Sequence, residues 1–186
     1  MARVGRAEKR VDRLAFELRP EDDLVGRGMA QWRRERPDID CSGKAVVGRI
    51  LRLQDVILRT ADAELRRFGL RYPAYAVLAT IRVSGAPFRM SPTQLRATLL
   101  LTSGGLSNLL GRLERRGFVR RFADPHDGRG VIVELTEKGR QLADEAMPAH
   151  ASVERRLLRM FDPAERATLA ELLSRMMVLN GHGGLQ

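Results

Sequence analysis

The chain has 186 residues, 44% of them hydrophobic and 30% charged, which allows a sizeable core and excludes a disordered composition. Lysine and arginine outnumber aspartate and glutamate by 33 to 23, a formal net charge of +10 carried almost wholly by arginine; that balance favours a polyanionic partner, since each phosphate neutralised releases counterions. A single cysteine, Cys41, excludes an internal disulfide and a cysteine-based zinc site, and three scattered histidines show no ligand spacing.

Residues 1–40 are charged, with one helix expected around Glu8–Arg19 and a second, short one holding Met29-Ala30-Gln31-Trp32. No apolar run follows the basic N-terminus as in a secretory signal, and none is long enough to span a membrane, so a cytoplasmic protein is expected. Pro37 in "RPDID" disfavours helix for its predecessor and breaks the chain. A long helix should follow from Ser42 to Phe68, closed by Gly69. Its apolar residues Val46, Ile50, Leu53, Ile57, Ala61 and Leu65 recur at the helical period. Leu51 and Leu58 widen that face, which suits either a contact with a partner subunit or a central core helix.

"YPAYAVLATIRVSG" predicts a helix from Pro73 to Val83. "SPTQLRATLLL" opens on a strong start signal: Ser91 as N-cap, Pro92 at the first helical position and Gln94 completing a capping box. Thr102 or Ser103 caps the next helix, "SGGLSNLLGRLERRG", which ends at Gly117. Two short helices joined through Leu100–Thr102 make a helix-turn-helix. In the second helix Leu106, Leu109, Leu110 and Leu113 share one face. The opposite face carries Gly104, Asn108, Gly111 and Arg115, flanked by Ser107 and Arg112, with Ser103 at the start. Small residues permit close approach to a major groove, Ser and Asn hydrogen-bond base edges, and Arg takes guanine or phosphate. An ordinary solvated helix face has a similar composition, so the following segment has to discriminate.

That segment, Phe118 to Gly139, is a two-stranded ribbon with Asp124-Pro125-His126-Asp127-Gly128-Arg129-Gly130 at its tip and Val131–Leu135 as its return strand. Its acids do not follow a calcium loop, and no phosphate-loop motif precedes a helix. A DNA-probing wing fits, with Arg129 reaching a minor groove, Asp127 orienting it, and Arg120 and Arg121 near phosphates. A helix from Thr136 to Met160 and another from Pro163 to Asn180, capped by Asp162 with Glu165, complete the chain. The expected fold is mainly α with a small β-ribbon: a winged helix-turn-helix flanked by further helices, which the resemblance described next makes an α-helical dimerisation domain.

These residues resemble the multiple-antibiotic-resistance regulator (MarR) family of bacterial transcription factors. The resemblance rests on Asp127-Gly128-Arg129, Leu135-Thr136, Gly139 and "LERRGFVRR". It implies a homodimer whose terminal helices interlock, two winged lobes on adjacent major grooves, and a cleft for a small-molecule effector. The implied division is an N-terminal extension at 1–40, dimerisation helices at 41–70 and 140–180, a DNA-binding lobe at 71–139 and a tail at 181–186. "QWRRERPDID", "FRMSPTQL" and "TSGGLSNLLGRLE" are similar to the urate-responsive branch of that family. Carried over residue by residue, that branch's ligand set falls on Trp32, Ala76, Leu109 and Arg121. Trp32 and Arg121 match, whereas Ala76 replaces an Asp and Leu109 an Arg. Losing one carboxylate and one guanidinium removes charge-assisted hydrogen bonds, so a more lipophilic or aromatic effector is expected, stacked on Trp32 if that residue is not simply packed.

The expected partners are double-stranded DNA, a second copy of the chain and a small effector, with no cofactor, no metal, no membrane, and a nucleoid-associated location. Two rivals are a redox sensor using Cys41, which lacks a second cysteine to resolve an oxidised sulfur, and a sequence-neutral architectural DNA binder. No nucleophile–base pair or carboxylate dyad suggests an enzyme.

Overall fold

The computed structural model describes residues 19–99, 103–125 and 130–182. The expected helix before Arg19, the turn at 100–102, and His126, Asp127, Gly128 and Arg129 of the wing tip lie outside the described residues. The chain forms two compact units, one from residues 1–55 with 154–186 and one from residues 56–153.

In the first unit a 3-10 turn, Pro20–Asp22, leads into α1, Leu24–Glu35. This helix is longer than the short one expected from Met29–Trp32, because Asp23 caps it well upstream by accepting the Gly26 N–H at 2.8 Å. Arg49, on α2 (Ser42–Leu65), gathers the entry to α1. It donates to the Asp23 carboxylate at 2.8 Å, to the Pro20 carbonyl at 2.8 Å and to the Ala45 carbonyl of its own helix at 2.7 Å. Near the C-terminal end, α7 (Pro163–Met177) opens on a complete capping box. Glu165 N–H donates to Asp162 at 2.9 Å, and Asp162 N–H to the Glu165 carboxylate at 2.9 Å.

The second unit contains the end of α2, then α3 (Tyr72–Val83), α4 (Pro92–Leu99), α5 (Ser103–Arg115) and most of α6 (Glu137–Leu157). Its sheet comprises β1 (Arg89–Met90), β2 (Val119–Ala123) and β3 (Val131–Leu135), all antiparallel in the order β1-β3-β2. The ribbon of β2 and β3 follows the sequence pattern. The third strand was not anticipated: Arg89 pairs with Glu134 and Met90 with Val133, on the free side of β3. The core joins Leu65, Leu78, Ile81, Leu95, Leu113 and Val133, all at most 1% exposed.

Two helices end in the same way. After α2, Gly69 adopts φ 64°, Leu70 N–H donates to the Leu65 carbonyl at 3.1 Å, and Gly69 N–H donates to the Arg66 carbonyl at 2.9 Å. After α5, Gly117 adopts φ 73°, with Phe118 donating to Leu113 at 3.0 Å and Gly117 to Glu114 at 2.8 Å. This is the Schellman pattern, in which a left-handed glycine turns the chain so that the next residue's N–H reaches back across the last turn. In both cases that next residue, Leu70 or Phe118, is buried.

A third glycine is needed for space alone. A Cβ on Gly139 would lie 1.9 Å from the Phe118 carbonyl oxygen, so Gly139→Ala should destabilise the chain by about 2–3 kcal/mol through forced backbone shifts. Gly28, inside α1, has nothing within 4 Å of an added Cβ, and Gly28→Ala should instead gain about 0.5–1 kcal/mol from helix propensity. Urea melts of the two variants check both signs.

Candidate nucleic-acid interface

The helix pair is built by the local chemistry already visible in the sequence. Ser91 N–H donates to Gln94 Oε1 at 2.8 Å, and Gln94 N–H to Ser91 Oγ at 3.2 Å. This reciprocal cap fixes where α4 begins. The second helix, α5, buries Leu106, Leu109, Leu110 and Leu113. Gly104, Ser107, Asn108, Arg112 and Arg115 are exposed on its other side, and Gly111 is half-buried. Ser103 is the first helical residue. Nothing crowds a Cβ at Gly104, so that surface is smooth at the N-terminal end of the helix and cationic at its C-terminal end. Among the described residues Arg112 and Arg115 form no ion pair.

The ribbon lies beside this helix. A shallow groove between α4, α5 and the strands is lined by Thr93, Arg96, Ser107, Leu110, Arg121 and Val131. The two consecutive arginines of β2 point to opposite faces of the sheet, as the strand pleat requires. Arg121 faces α5 and engages Glu114: Nε donates to Oε2 at 2.9 Å, Nη2 to Oε2 at 2.5 Å and the main-chain N–H to Oε1 at 3.0 Å. Arg120 takes the other face, its Nε donating to Glu134 Oε1 at 3.0 Å. Arg89 from β1 donates to the second oxygen of the same carboxylate. Glu134 is 8% exposed and sits on the central strand between its two partners, in register with both.

Burial acts to raise the Glu134 pKa, but hydrogen bonds and charge from Arg89 and Arg120 outweigh it and hold the carboxyl below the usual carboxylate range. The Arg121 hydrogen bond likewise holds Glu114 below that range. Both arginines of the strand therefore have internal carboxylate partners. Arg120 and Arg121 stand out in the sequence as strand arginines, whereas Glu114, Glu134 and Arg89 do not. The signal for Glu134 was its place opposite Arg120 in the ribbon register.

Of the residues assigned to an effector, Ala76 on α3 is half-buried, Leu109 belongs to the core at 7% exposed, and Arg121 is held by Glu114. All three lie in the second unit. Trp32, on α1 in the first unit, is 40% exposed, with the Lys44 ammonium 4.2 Å above its ring. Cys41 is buried at 7% exposure, an environment in which thiols are inert. Among the described residues no group of His, Cys, Asp and Glu could hold a metal ion, and no helix is long and apolar enough to cross a membrane.

Residues 68–130 match the MarR family. The chain is 35% identical over 146 residues to the HTH-type transcriptional regulator PecS of Dickeya dadantii, covering 78% of this chain and 88% of that one. It is 30% identical over 104 residues to the multiple antibiotic resistance protein MarR of Escherichia coli, covering 55% and 70%. Among solved structures, a mutant MarR from E. coli complexed with operator DNA matches with a TM-score of 0.66 at 25% identity, covering 75% of this chain and 99% of that one. AbsC, a MarR family transcriptional regulator from Streptomyces coelicolor, shares the fold with a TM-score of 0.67 at 22% identity, covering 74% and 93%.

The Glu134 triad carries a pH signature. Its folded-state pKa is depressed, so its contribution is complete above the usual carboxylate range and is lost as pH falls through the depressed value. Glu134→Gln should cost about 2 kcal/mol at neutral pH, less than a fully buried pair would, because Arg89 and Arg120 are 44% and 62% exposed. Urea melts of parent and variant should converge as the pH falls below the usual carboxylate range; a gap that stays constant on acidification would contradict the assignment.

Proposed function

Because the chain belongs to the MarR family of DNA-binding, non-enzymatic transcriptional regulators, we propose that it is a homodimeric repressor that binds a pseudo-palindromic operator and is released by a small aromatic or lipophilic effector. The observation that carries the DNA half of this reading is the two-sided character of α5. Four leucines fasten it to the core, and the surface left outside is small, polar and then cationic. Ser107, Asn108 and Arg112 read base edges in the major groove, with Ser103, Gly104 and Arg115 at its borders, while Arg129, oriented by Asp127, probes the minor groove. Residues 71–139 form the reading lobe.

Pairing of two copies through 41–70 and 140–180 is supported by apolar side chains without cover. Val46, Leu51 and Leu53 on α2, and Leu172 and Met177 on α7, are between 53 and 61% exposed. A two-fold pair places two reading helices about 34 Å apart, one turn of DNA. An effector that favours another spacing then weakens DNA binding, and by linkage DNA weakens effector binding by about 1–3 kcal/mol. Ala76 and Leu109, where the urate-responsive branch has an Asp and an Arg, offer no charge-assisted hydrogen bond to an anion, which favours an effector more lipophilic than urate. The protein acts in the cytoplasm on the nucleoid. Burial of Cys41 leaves the thiol-sensor rival without support, and the polar reading face on α5 favours a site-specific regulator over an architectural binder.

Four outcomes follow. The purified chain elutes as a dimer and protects one palindrome in a footprint of retained DNA fragments; a monomer, or diffuse protection, would sink the reading. Arg112→Ala weakens the operator complex by about 1–3 kcal/mol and relaxes base preference at one position per half-site. Arg129→Ala weakens binding to all sequences and lowers the salt slope by about 1 per site. Low micromolar urate leaves the complex intact, as titration against labelled operator would report.

A further inference from the structure

We propose that Glu114 is a positioning residue for DNA recognition: its carboxylate fixes the angle between the reading helix and the wing by gripping Arg121 through main chain and side chain together. This rests on the reading of α5 and the ribbon as the DNA surface, and assigns within it a residue whose own side chain touches no base or phosphate.

Glu114 lies in the last turn of α5, and Arg121 in the middle of β2. The segment between them is closed at its near end by the Gly117 turn and at its far end by three donors from one residue converging on one carboxylate. The strand concerned is an edge strand, since the sheet order is β1-β3-β2. Main-chain N–H groups on its outer side meet no further strand, and Glu114 takes one of them. The neighbouring Arg120 binds Glu134 on the other face of the sheet. Consecutive arginines thus fasten β2 from both sides, one to the reading helix and one to the rest of the sheet. Arg121 also lines the groove in which Ser107 of the reading helix appears, so a change in the grip would be felt where bases are read.

The pair is about one-third exposed on both partners, and such pairs contribute little to global stability. Its effect is therefore sought in recognition, where a small change in geometry has a large cost. The two possible roles of Arg121 predict opposite signs. A phosphate-binding arginine, freed from its carboxylate, would strengthen DNA binding and steepen its salt dependence. An arginine that holds the wing would weaken binding when its anchor is removed, although the chain has become more positive.

The experiment uses the full chain and an operator duplex selected with it, in fluorescence anisotropy titrations across a salt series. Glu114→Gln should bind the operator about tenfold more weakly, a loss of about 1.4 kcal/mol, with an unchanged slope of log K against log salt. Arg121→Gln should lose a similar factor with the same slope, and the double variant should be no worse than either single one, since both remove one interaction. Thermal melts establish that each variant is folded; should Glu114→Gln fail to fold, the slope measured for Arg121→Gln still decides. Equal or tighter binding by Glu114→Gln, or a slope reduced by about 0.9 in Arg121→Gln, overturns the proposal. A parent chain that retains no duplex overturns the DNA-surface reading as well, whereas a parent that binds beside an equally competent Glu114→Gln overturns this inference alone.

Discussion

The helix proposed to read DNA is aimed by one junction, where the end of α5 and the starts of β2 and α6 are tied together by hydrogen bonds to main-chain carbonyls. The Phe118 carbonyl accepts the Thr136 N–H at 3.1 Å, and Gly139 presses close enough that no side chain fits between them. Thr136 Oγ1 donates to the Gly117 carbonyl at 2.7 Å and accepts the Gly139 N–H at 3.0 Å. One hydroxyl therefore caps α6 and ties it to the turn that ends α5. The Phe118 ring beneath is flanked by the Arg116 guanidinium at 4.7 Å and the Lys138 ammonium at 4.9 Å. Arg116 in turn donates to the Gly69 carbonyl at 2.9 Å, so the end of α5 is moored to the turn that closes α2. The carbonyls of Arg116, Gly117 and Phe118, just past the end of α5, all find donors at the start of α6. A left-handed residue at 117 is the condition for all of it, and a Cβ there would cost about 1–2 kcal/mol.

Features set by neighbours along the chain were legible in the sequence. The capping boxes at Ser91–Gln94 and Asp162–Glu165 form with the predicted pairing, because their geometry is complete within four residues. The buried face of α5 was equally plain, since Leu106, Leu109, Leu110 and Leu113 repeat at the helical period. Features set by tertiary register were not. Two residues, Arg89 and Met90, are too few to show a strand period, and they become a strand only because β3 offers an unpaired edge. Glu134 reads as an ordinary polar residue in an apolar strand until its register puts an arginine on each side. The extent of α1 was hidden because Gly26 and Gly28 obscure the helical pattern, and the cap at Asp23 is held in place by Arg49, which lies 26 residues further on.

Charge needs the same correction. A net charge of +10 points to a polyanion, yet much of the arginine serves the fold. Arg49 holds the start of α1. Arg82 donates to Asp144 at 2.7 Å between α3 and α6. Arg89, Arg120 and Arg121 fasten the strands. Such arginines bring a carboxylate with them and add little field at the surface. The exposed charge near the helix pair is local: Arg112 and Arg115 on α5 and Arg96 on α4, the side chains on which the proposed DNA contact relies. Composition gave the sign of the partner, and placement gives the few side chains able to meet it.

The first unit shows the complementary imbalance. Among its described residues only Met29 and Cys41 are buried hydrophobics, and α7 buries none of its residues. Yet α7 carries Leu169, Leu172, Leu173, Met176 and Met177, all at least 36% exposed. At about 25 cal/mol per Å² of apolar surface, a helix of this composition gains little from its own chain, and the second copy proposed above would supply the missing burial. The face of α2 changes character along its length in the same sense. Ala61 and Leu65 are fully buried in the core of the reading unit, whereas Val46, Leu53 and Ile57 on earlier turns of the same apolar face are exposed. One continuous stripe thus serves two purposes, and the proposed pairing acts on the helix that also completes the reading unit's core.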